Sequence, residues 1–195
     1  HKFHGPRGIG VLYARRGMEL CSLMEGGGQE RGKRPGTENV PAIMGMAAAL
    51  KEECVLMEEN ARKISAMRDR LIQGLSKIPH CILNGPAGNR LPGNVNFCFE
   101  GVSGESLLLL LDSKGICASS GSACASGALD PSHVLLALGR SPEIAQGSLR
   151  LSLDASNTEE EVDYMLEVIP QMVEHLRRMS ADWQEKVKGS REFEL

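Results

Sequence analysis

Four short stretches of the sequence carry side chains that could do chemistry. The first is Lys2, which follows His1 and precedes the turn-forming segment Gly5-Pro6-Arg7-Gly8. A lysine held out of bulk water beside a tight glycine turn can keep its amine uncharged and attack a carbonyl carbon. The residue type alone leaves open a solvated lysine, because most lysines are exposed.

The second stretch is a glycine-rich loop at residues 26–36, which ends in Thr37. Its backbone N–H groups and the threonine hydroxyl could donate to phosphate oxygens. The loop matches neither GxxxxGK[ST] nor GxGxxG, so it belongs to neither of those two nucleotide-binding motifs. An exposed loop without a ligand is the alternative.

The third stretch surrounds Cys124 with small residues from Ser119 to Leu129. Because no bulky side chain flanks the thiol, a substrate could reach it, and this favours a nucleophile over an accidental cysteine. The sequence has five other cysteines, and we expect them to be small core residues. They are Cys21, Cys54, Cys81, Cys98 and Cys117.

The fourth stretch is Leu149-Arg150-Leu151-Ser152-Leu153, which has the alternation of a strand. The two-residue period sends the leucines to one face and Arg150 to the other. A guanidinium fixed on a strand suits bidentate binding of a carboxylate, and a salt bridge to an acidic residue of the chain is the alternative. We expect His4 and His133 to be structural.

Periodicity predicts the elements that position these residues. A long amphipathic helix, or two abutting ones, is expected over 41–75. Further helices are expected after Ser103, from Pro131 to Gly139 and after the Thr158–Glu161 capping box, with a kink or break at Pro170. Strands are expected at 9–13, 81–83, 94–99, 116–118 and 149–153. The alternation in the later strands favours an antiparallel or mixed sheet, and the charged tail beyond Trp183 is expected to be loosely held.

Composition narrows the class of protein. Lys plus Arg number 22 against 25 Asp plus Glu, a net charge of −3, and no basic stripe with interleaved aromatics is present, so nucleic acid is an unlikely partner. No apolar run reaches the roughly 18 residues of a membrane span. The six cysteines form no CxxC pair, which disfavours a metal or dithiol redox protein and favours a reduced, cytoplasmic location.

Taken together, the four stretches resemble those of the cysteine desulfurases, which depend on pyridoxal 5′-phosphate and supply sulfur for iron–sulfur clusters and tRNA thiolation. HKFHGPRGIG resembles the family's cofactor-lysine segment and GGGQERGKRPGT its phosphate loop. SSGSACASGALDPS resembles its catalytic-cysteine loop and GSLRLSL the strand of its substrate-binding arginine. The resemblance runs from end to end of the chain.

The resemblance implies a role for each matching residue. Lys2 would hold the cofactor covalently and shuttle the substrate's α-proton, and His1 would lie beside the cofactor. Thr37 would bind the cofactor phosphate in the other subunit of a homodimer. Arg150 would bind the carboxylate of L-cysteine. Cys124 would take the substrate sulfur as a persulfide, release alanine and pass the sulfur to scaffold or carrier proteins.

The resemblance also implies the fold, an α/β protein corresponding to the later part of the aminotransferase type I fold. Residues 1–57 would end the large cofactor-binding domain, and residues 58–195 would form the small α+β domain. The family's pyridine-nitrogen aspartate, ring-stacking histidine and first phosphate loop all precede the lysine, so we expect this chain alone to be inactive or nearly so. A selenocysteine lyase and a non-catalytic partner-binding fragment remain alternatives.

Overall fold

The computed structural model describes residues 2–120 and 131–192. The chain divides into two compact units, His1–Glu58 and Glu59–Leu195. The first unit contains a short helical turn, α1 (Gln29–Gly32), and the first part of a long helix, α2 (Val40–Leu75). The second unit contains the rest of α2 and the other elements. These are β1 (Cys81–Leu83), β2 (Asn94–Phe99), α3 (Gly104–Asp112), α4 (His133–Ala137), α5 (Pro142–Gln146), β3 (Ser148–Ser152), α6 (Glu159–Met179) and α7 (Ala181–Glu192).

The first unit buries few apolar side chains. Ala42 is the single buried hydrophobic residue among those described there, whereas Leu12 and Tyr13 are 79% and 86% exposed. The predicted strand at 9–13 was wrong, because this apolar run pairs with no other strand in the described part of the chain. A strand without a partner leaves its backbone groups to water, so alternation alone does not form one.

The glycine-rich loop follows an unusual backbone path, as predicted. Gly26, Gly32 and Gly36 have positive φ angles. Within α1, Glu30 and Arg31 also lie in the left-handed region, at φ 49° and 58°. Side chains other than glycine rarely adopt these angles, so the loop holds a strained turn.

The second unit is built on a three-stranded antiparallel sheet in the order β1-β2-β3, which confirms the predicted type of sheet. β1 and β2 have the predicted bounds, and β3 begins one residue earlier than expected. The predicted strand at 116–118 was wrong, since pairing in this region is a bridge between Ser119 and Arg150.

A hydrophobic core covers one face of the sheet. It joins the end of α2 with α3 and α6, and its fully buried members include Leu71, Phe97, Leu107 and Ile169. Burying such side chains stabilises the fold by about 1.5–3 kcal/mol each. α6 begins with the predicted capping box, and it continues through Pro170, so the break that we considered there is absent.

The opposite face of the sheet carries α4 and α5. Cys98 of β2 packs there with Leu135 and Ala145. α4 begins at His133, later than predicted, and α5 was not predicted at all. Ser141 caps α5, accepting a hydrogen bond from the Ile144 N–H at 3.4 Å.

The end of α6 and the start of α7 are tied to the sheet through Arg177 and Trp183, and the loosely held tail expected beyond Trp183 stays a prediction. Arg177 of α6 donates to the carbonyl oxygens of Pro79, His80 and Glu100 at 2.8, 3.0 and 2.9 Å. Its guanidinium carbon lies 4.6 Å from the ring centroid of Trp183, which is buried. A Cβ on Gly101 would lie 2.3 Å from this indole, so only glycine allows the approach.

Candidate functional site

The sheet register places polar side chains together on the face opposite the main core. Asn96 of β2 pairs directly with Arg150 of β3, and Asn94 pairs with Ser152. Directly paired residues share a face, whereas Leu149 and Leu151 point into the core. The predicted orientation of Arg150 away from the leucines is therefore confirmed.

Arg150 lines a pocket of about 390 Å³ within the second unit. Its walls come from β2, β3, α4 and the turn after β1. The lining residues are Asn84, Gly85, Arg90, Asn94, Asn96, Ser120, Ser132, His133, Val134, Leu135, Leu138 and Arg150. Two arginines and no carboxylate occur among these described residues, so the pocket suits an anionic ligand.

Described residues on either side of positions 121–130 line this pocket. Ser119 and Arg150 exchange backbone hydrogen bonds, with N···O distances of 3.0 and 2.5 Å. Ser120 follows, and its carbonyl oxygen accepts a hydrogen bond from the Ser148 hydroxyl. Ser120 and Ser132 both line the pocket.

Asn84 connects the groups around the pocket. It is buried, and its amide nitrogen donates to Asn96 Oδ1 at 2.7 Å and to Cys98 Sγ at 3.1 Å. Its side-chain oxygen accepts from Arg140 Nε at 2.9 Å, and its backbone oxygen accepts from Arg90 Nη2 at 2.5 Å. This arrangement fixes one wall of the pocket through a single buried amide.

Asn84 and Arg90 line the pocket but were not predicted from the sequence as site residues. The signal for Asn84 was the Asn84-Gly85-Pro86 cluster, which we interpreted only as the end of an element. Asn96 was recognised only as the polar half of an alternating strand. Arg90 lies in the turn between β1 and β2, where no periodicity marks it.

The structure places the other predicted site residues in different units. Lys2 and Thr37 are exposed residues of the first unit, whereas Arg150 belongs to the second. His1 and Cys124 lie outside the described residues. His133, predicted to be structural, lines the pocket, while the side chain of His4 lies 3.6 Å from Glu53.

The described cysteines differ in their exposure to solvent. Cys98 is buried and burial raises the pKa of its thiol, so it stays protonated and unreactive at neutral pH. Burial also raises the pKa of Cys81. The prediction that all five would be core residues was wrong, because Cys21, Cys54 and Cys117 are exposed.

The described residues contain neither a cluster of metal ligands nor a membrane-spanning helix. No group of three or more His, Cys, Asp and Glu side chains is placed to hold a metal ion. None of the described helices combines the length and apolar character needed to cross a bilayer.

The described residues form an α/β protein with a small antiparallel sheet and a pocket lined by two arginines. The model of the class-V aminotransferase family matches residues 1–165. The chain belongs to this family, whose members use pyridoxal 5′-phosphate. This confirms the predicted family, fold class and cofactor dependence.

Individual relatives agree with this assignment. A cysteine desulfurase IscS of Clostridium botulinum is 52% identical over 98% of this chain and 49% of the relative. Among solved structures, a NifS-like protein superimposes with a TM-score of 0.79 at 39% identity, covering 90% of this chain and 45% of that one. The structure of SspA in complex with cysteine has a TM-score of 0.57 at 31% identity, covering 81% of this chain and 43% of that one.

The chain spans about half the length of the curated relatives that it matches.

Proposed function

We propose that this chain is the cysteine-binding and sulfur-accepting part of a cysteine desulfurase, which converts L-cysteine to L-alanine. The observation that carries the proposal is the position of Arg150 on the pocket wall, with Ser120 and Ser132 lining the same pocket. These two serines flank the stretch that contains Cys124. The names of the relatives and the solved complex with cysteine support the same chemistry.

Arg150 is suited to hold the substrate carboxylate. Its backbone is fixed on both sides, by β2 and by the bridge to Ser119. Its guanidinium makes no hydrogen bond or ion pair with a described side chain, and the lining offers no competing carboxylate. A guanidinium on a rigid strand can donate two parallel hydrogen bonds and orient the amino acid.

Cys124 is suited to accept the sulfur. It follows Ser120 by four residues, so chain connectivity keeps its Cα within about 14 Å of that of Ser120. In the proposed step the Cys124 thiolate attacks the substrate sulfur. A sulfur–sulfur bond forms, the carbon–sulfur bond breaks, and its electron pair passes to the β-carbon, which takes up a proton. The products are alanine and a persulfide on Cys124.

Lys2, Thr37 and His1 are the residues that would hold the cofactor. Lys2 offers an exposed primary amine and Thr37 an exposed hydroxyl next to the glycine-rich loop, so the groups present fit an aldehyde and a phosphate. When bound, pyridoxal phosphate withdraws electrons from the substrate's α-carbon. The Lys2 amine would then carry the α-proton between atoms of the substrate.

The remaining expectations belong to this proposal. Residues 1–57 would be the end of a large cofactor domain and residues 58–195 a small domain, and the division into compact units at Glu58 is compatible with these bounds. We propose a homodimer in which Thr37 serves the partner's cofactor, with scaffold or carrier proteins as sulfur acceptors. We propose a cytoplasmic location, which the free thiols of the described cysteines favour.

The test uses the product of the intact gene, isolated with its cofactor. Cys124→Ser should abolish persulfide formation from L-cysteine, as measured by alkylation and mass spectrometry, while the cofactor's absorbance is retained. Cys117→Ser is the matched control, because Cys117 is an exposed cysteine just upstream, and it should form the persulfide normally. Sulfur release at the normal rate from Cys124→Ser would contradict the proposal.

A further inference from the structure

Asn96 stands directly beside Arg150 on the pocket wall. The two residues are paired in the register of β2 and β3, and both line the pocket. The N–H of Leu153 donates to the Gly93 carbonyl oxygen at 2.8 Å, which makes Gly93 and Leu153 a hydrogen-bonded pair. Because hydrogen-bonded and non-hydrogen-bonded pairs alternate along an antiparallel ladder, Asn96 and Arg150 form a non-hydrogen-bonded pair. The Cα atoms of such pairs lie about 4.5 Å apart, so the two side chains are close neighbours.

Hydrogen bonds within the chain decide which end of the Asn96 amide remains open. Arg140 Nε can only donate, and it lies 2.9 Å from the side-chain oxygen of Asn84. The amide nitrogen of Asn84 therefore points the other way, where it donates to Asn96 Oδ1 at 2.7 Å and to Cys98 Sγ at 3.1 Å. Since Asn96 uses its oxygen as the acceptor, its nitrogen Nδ2 is the end of the amide that is left to donate.

Asn96 Nδ2 can be reached by a ligand in the pocket. It makes no hydrogen bond with any described residue, and the side chain of Asn96 is only half-buried on the pocket wall. Among the described residues, the fully buried side-chain nitrogens without a partner belong to Arg90 alone, so the unpaired Asn96 nitrogen retains accessible surface. An accessible donor beside the Arg150 guanidinium adds to the preference of the pocket for an anion.

A carboxylate bound by Arg150 has acceptor capacity left for this donor. An ionised carboxylate offers two oxygens with about four lone-pair sites, and a guanidinium fork occupies two of them. A donor on the neighbouring strand is placed to occupy one of the remaining sites. One carboxylate can therefore accept hydrogen bonds from both side chains at once.

We propose that Asn96 donates a hydrogen bond, through Nδ2, to the same substrate carboxylate that Arg150 binds, so that β2 and β3 together select a ligand with a free carboxylate. The inference rests on the proposed function for the assignment of that carboxylate to Arg150. A hydrogen bond to a charged group strengthens binding by about ten- to a hundredfold, and this is the contribution expected of Asn96.

The experiment uses the product of the intact gene with its cofactor bound. The change in cofactor absorbance measures the affinity for L-alanine and for L-alaninamide, which keeps the amine but lacks the carboxylate. Asn96→Ala removes the donor, and Asn96→Asp keeps an oxygen for the Asn84 N–H but has no N–H of its own. Arg150→Lys tests the guanidinium. Cys98→Ala is the matched control, because it also removes one acceptor from the buried Asn84 nitrogen but leaves Asn96 in place.

We expect Asn96→Ala to reduce the preference for L-alanine over L-alaninamide by about ten- to a hundredfold. Asn96→Asp should reduce it at least as far, and Cys98→Ala should retain it. If either Asn96 variant keeps the full preference while Arg150→Lys loses it, the contribution of Asn96 is refuted and the proposed function stands. If Arg150→Lys keeps the preference while both Asn96 variants lose it, the role of Arg150 fails and the Asn96 donor stands.

Two further results would overturn the inference. An equal loss in Cys98→Ala would mean that Asn96 acts only by holding Asn84 in place. The absence of any preference for L-alanine in the unmodified protein would refute the contribution of Asn96 together with that of Arg150.

Discussion

The two units of the chain differ in how their backbones are held. In the second unit, strands, helices and a continuous apolar core fix each position through many partners. In the first unit, turns, left-handed residues and the first part of α2 define the path, and almost no described side chain is buried. We infer that the burial of apolar side chains stabilises mainly the second unit, where the pocket lies. The positions of Lys2 and Thr37 in the first unit depend on local backbone geometry instead.

The strongest test of this contrast compares one apolar side chain from each unit. Phe97→Ala removes a ring that is 1% exposed in the central strand, and it should lower the free energy of unfolding by about 3–5 kcal/mol. Leu12→Ala removes an exposed side chain and should change it by less than about 0.5 kcal/mol. Urea titration followed by the fluorescence of Trp183 measures both, and equal losses would erase the contrast.

A smaller effect is expected from the buried cation that ties α6 to the sheet. Arg177→Met keeps most of the apolar stem but leaves the carbonyl oxygens of Pro79, His80 and Glu100 without their donor. We expect a loss of about 2–3 kcal/mol in the same urea titration. The neighbouring Arg178 makes an exposed ion pair with Glu174, so Arg178→Met should cost at most about 0.5 kcal/mol. A harmless Arg177→Met would show that these hydrogen bonds are not needed.

The smallest effect is expected from relieving backbone strain in the glycine-rich loop of the first unit. Arg31→Gly removes a side chain at φ 58° and should relieve about 0.5–1 kcal/mol of local strain. Hydrogen exchange of the Gly32 and Lys33 amides, which close this turn, should slow by about two- to fivefold. Arg34→Gly is the control, because Arg34 has no positive φ. Faster exchange in Arg31→Gly would mean that the arginine stabilises the turn.

Sequence patterns predicted those parts of the fold that depend on local periodicity. The alternation in Asn94–Phe99 and the two-residue period around Arg150 gave the correct strands and the correct face for the guanidinium. The same reasoning failed at 9–13, because periodicity does not say whether a partner strand is available. Helix α5 is too short to show a helical period, and only the Ser141-Pro142 start marks it.

The pocket itself was only half predictable. Arg150 is marked by its own strand, but Arg90 enters the site because its guanidinium reaches the carbonyl oxygen of Asn84, six residues earlier in the chain. Asn84 in turn depends on Asn96 and Arg140, which come from distant segments. Such contacts follow from the tertiary fold and leave no spacing signal in a single sequence.

The pairing of Ser119 with Arg150 has a consequence for self-association. β3 forms one edge of the sheet, and an uncovered edge offers its backbone groups to a strand from another molecule. Ser119 occupies two of those groups. Ser119, which precedes the stretch containing Cys124, therefore also covers part of the edge of β3. Loss of its pairing with Arg150 would expose backbone groups with which a strand of another molecule could pair.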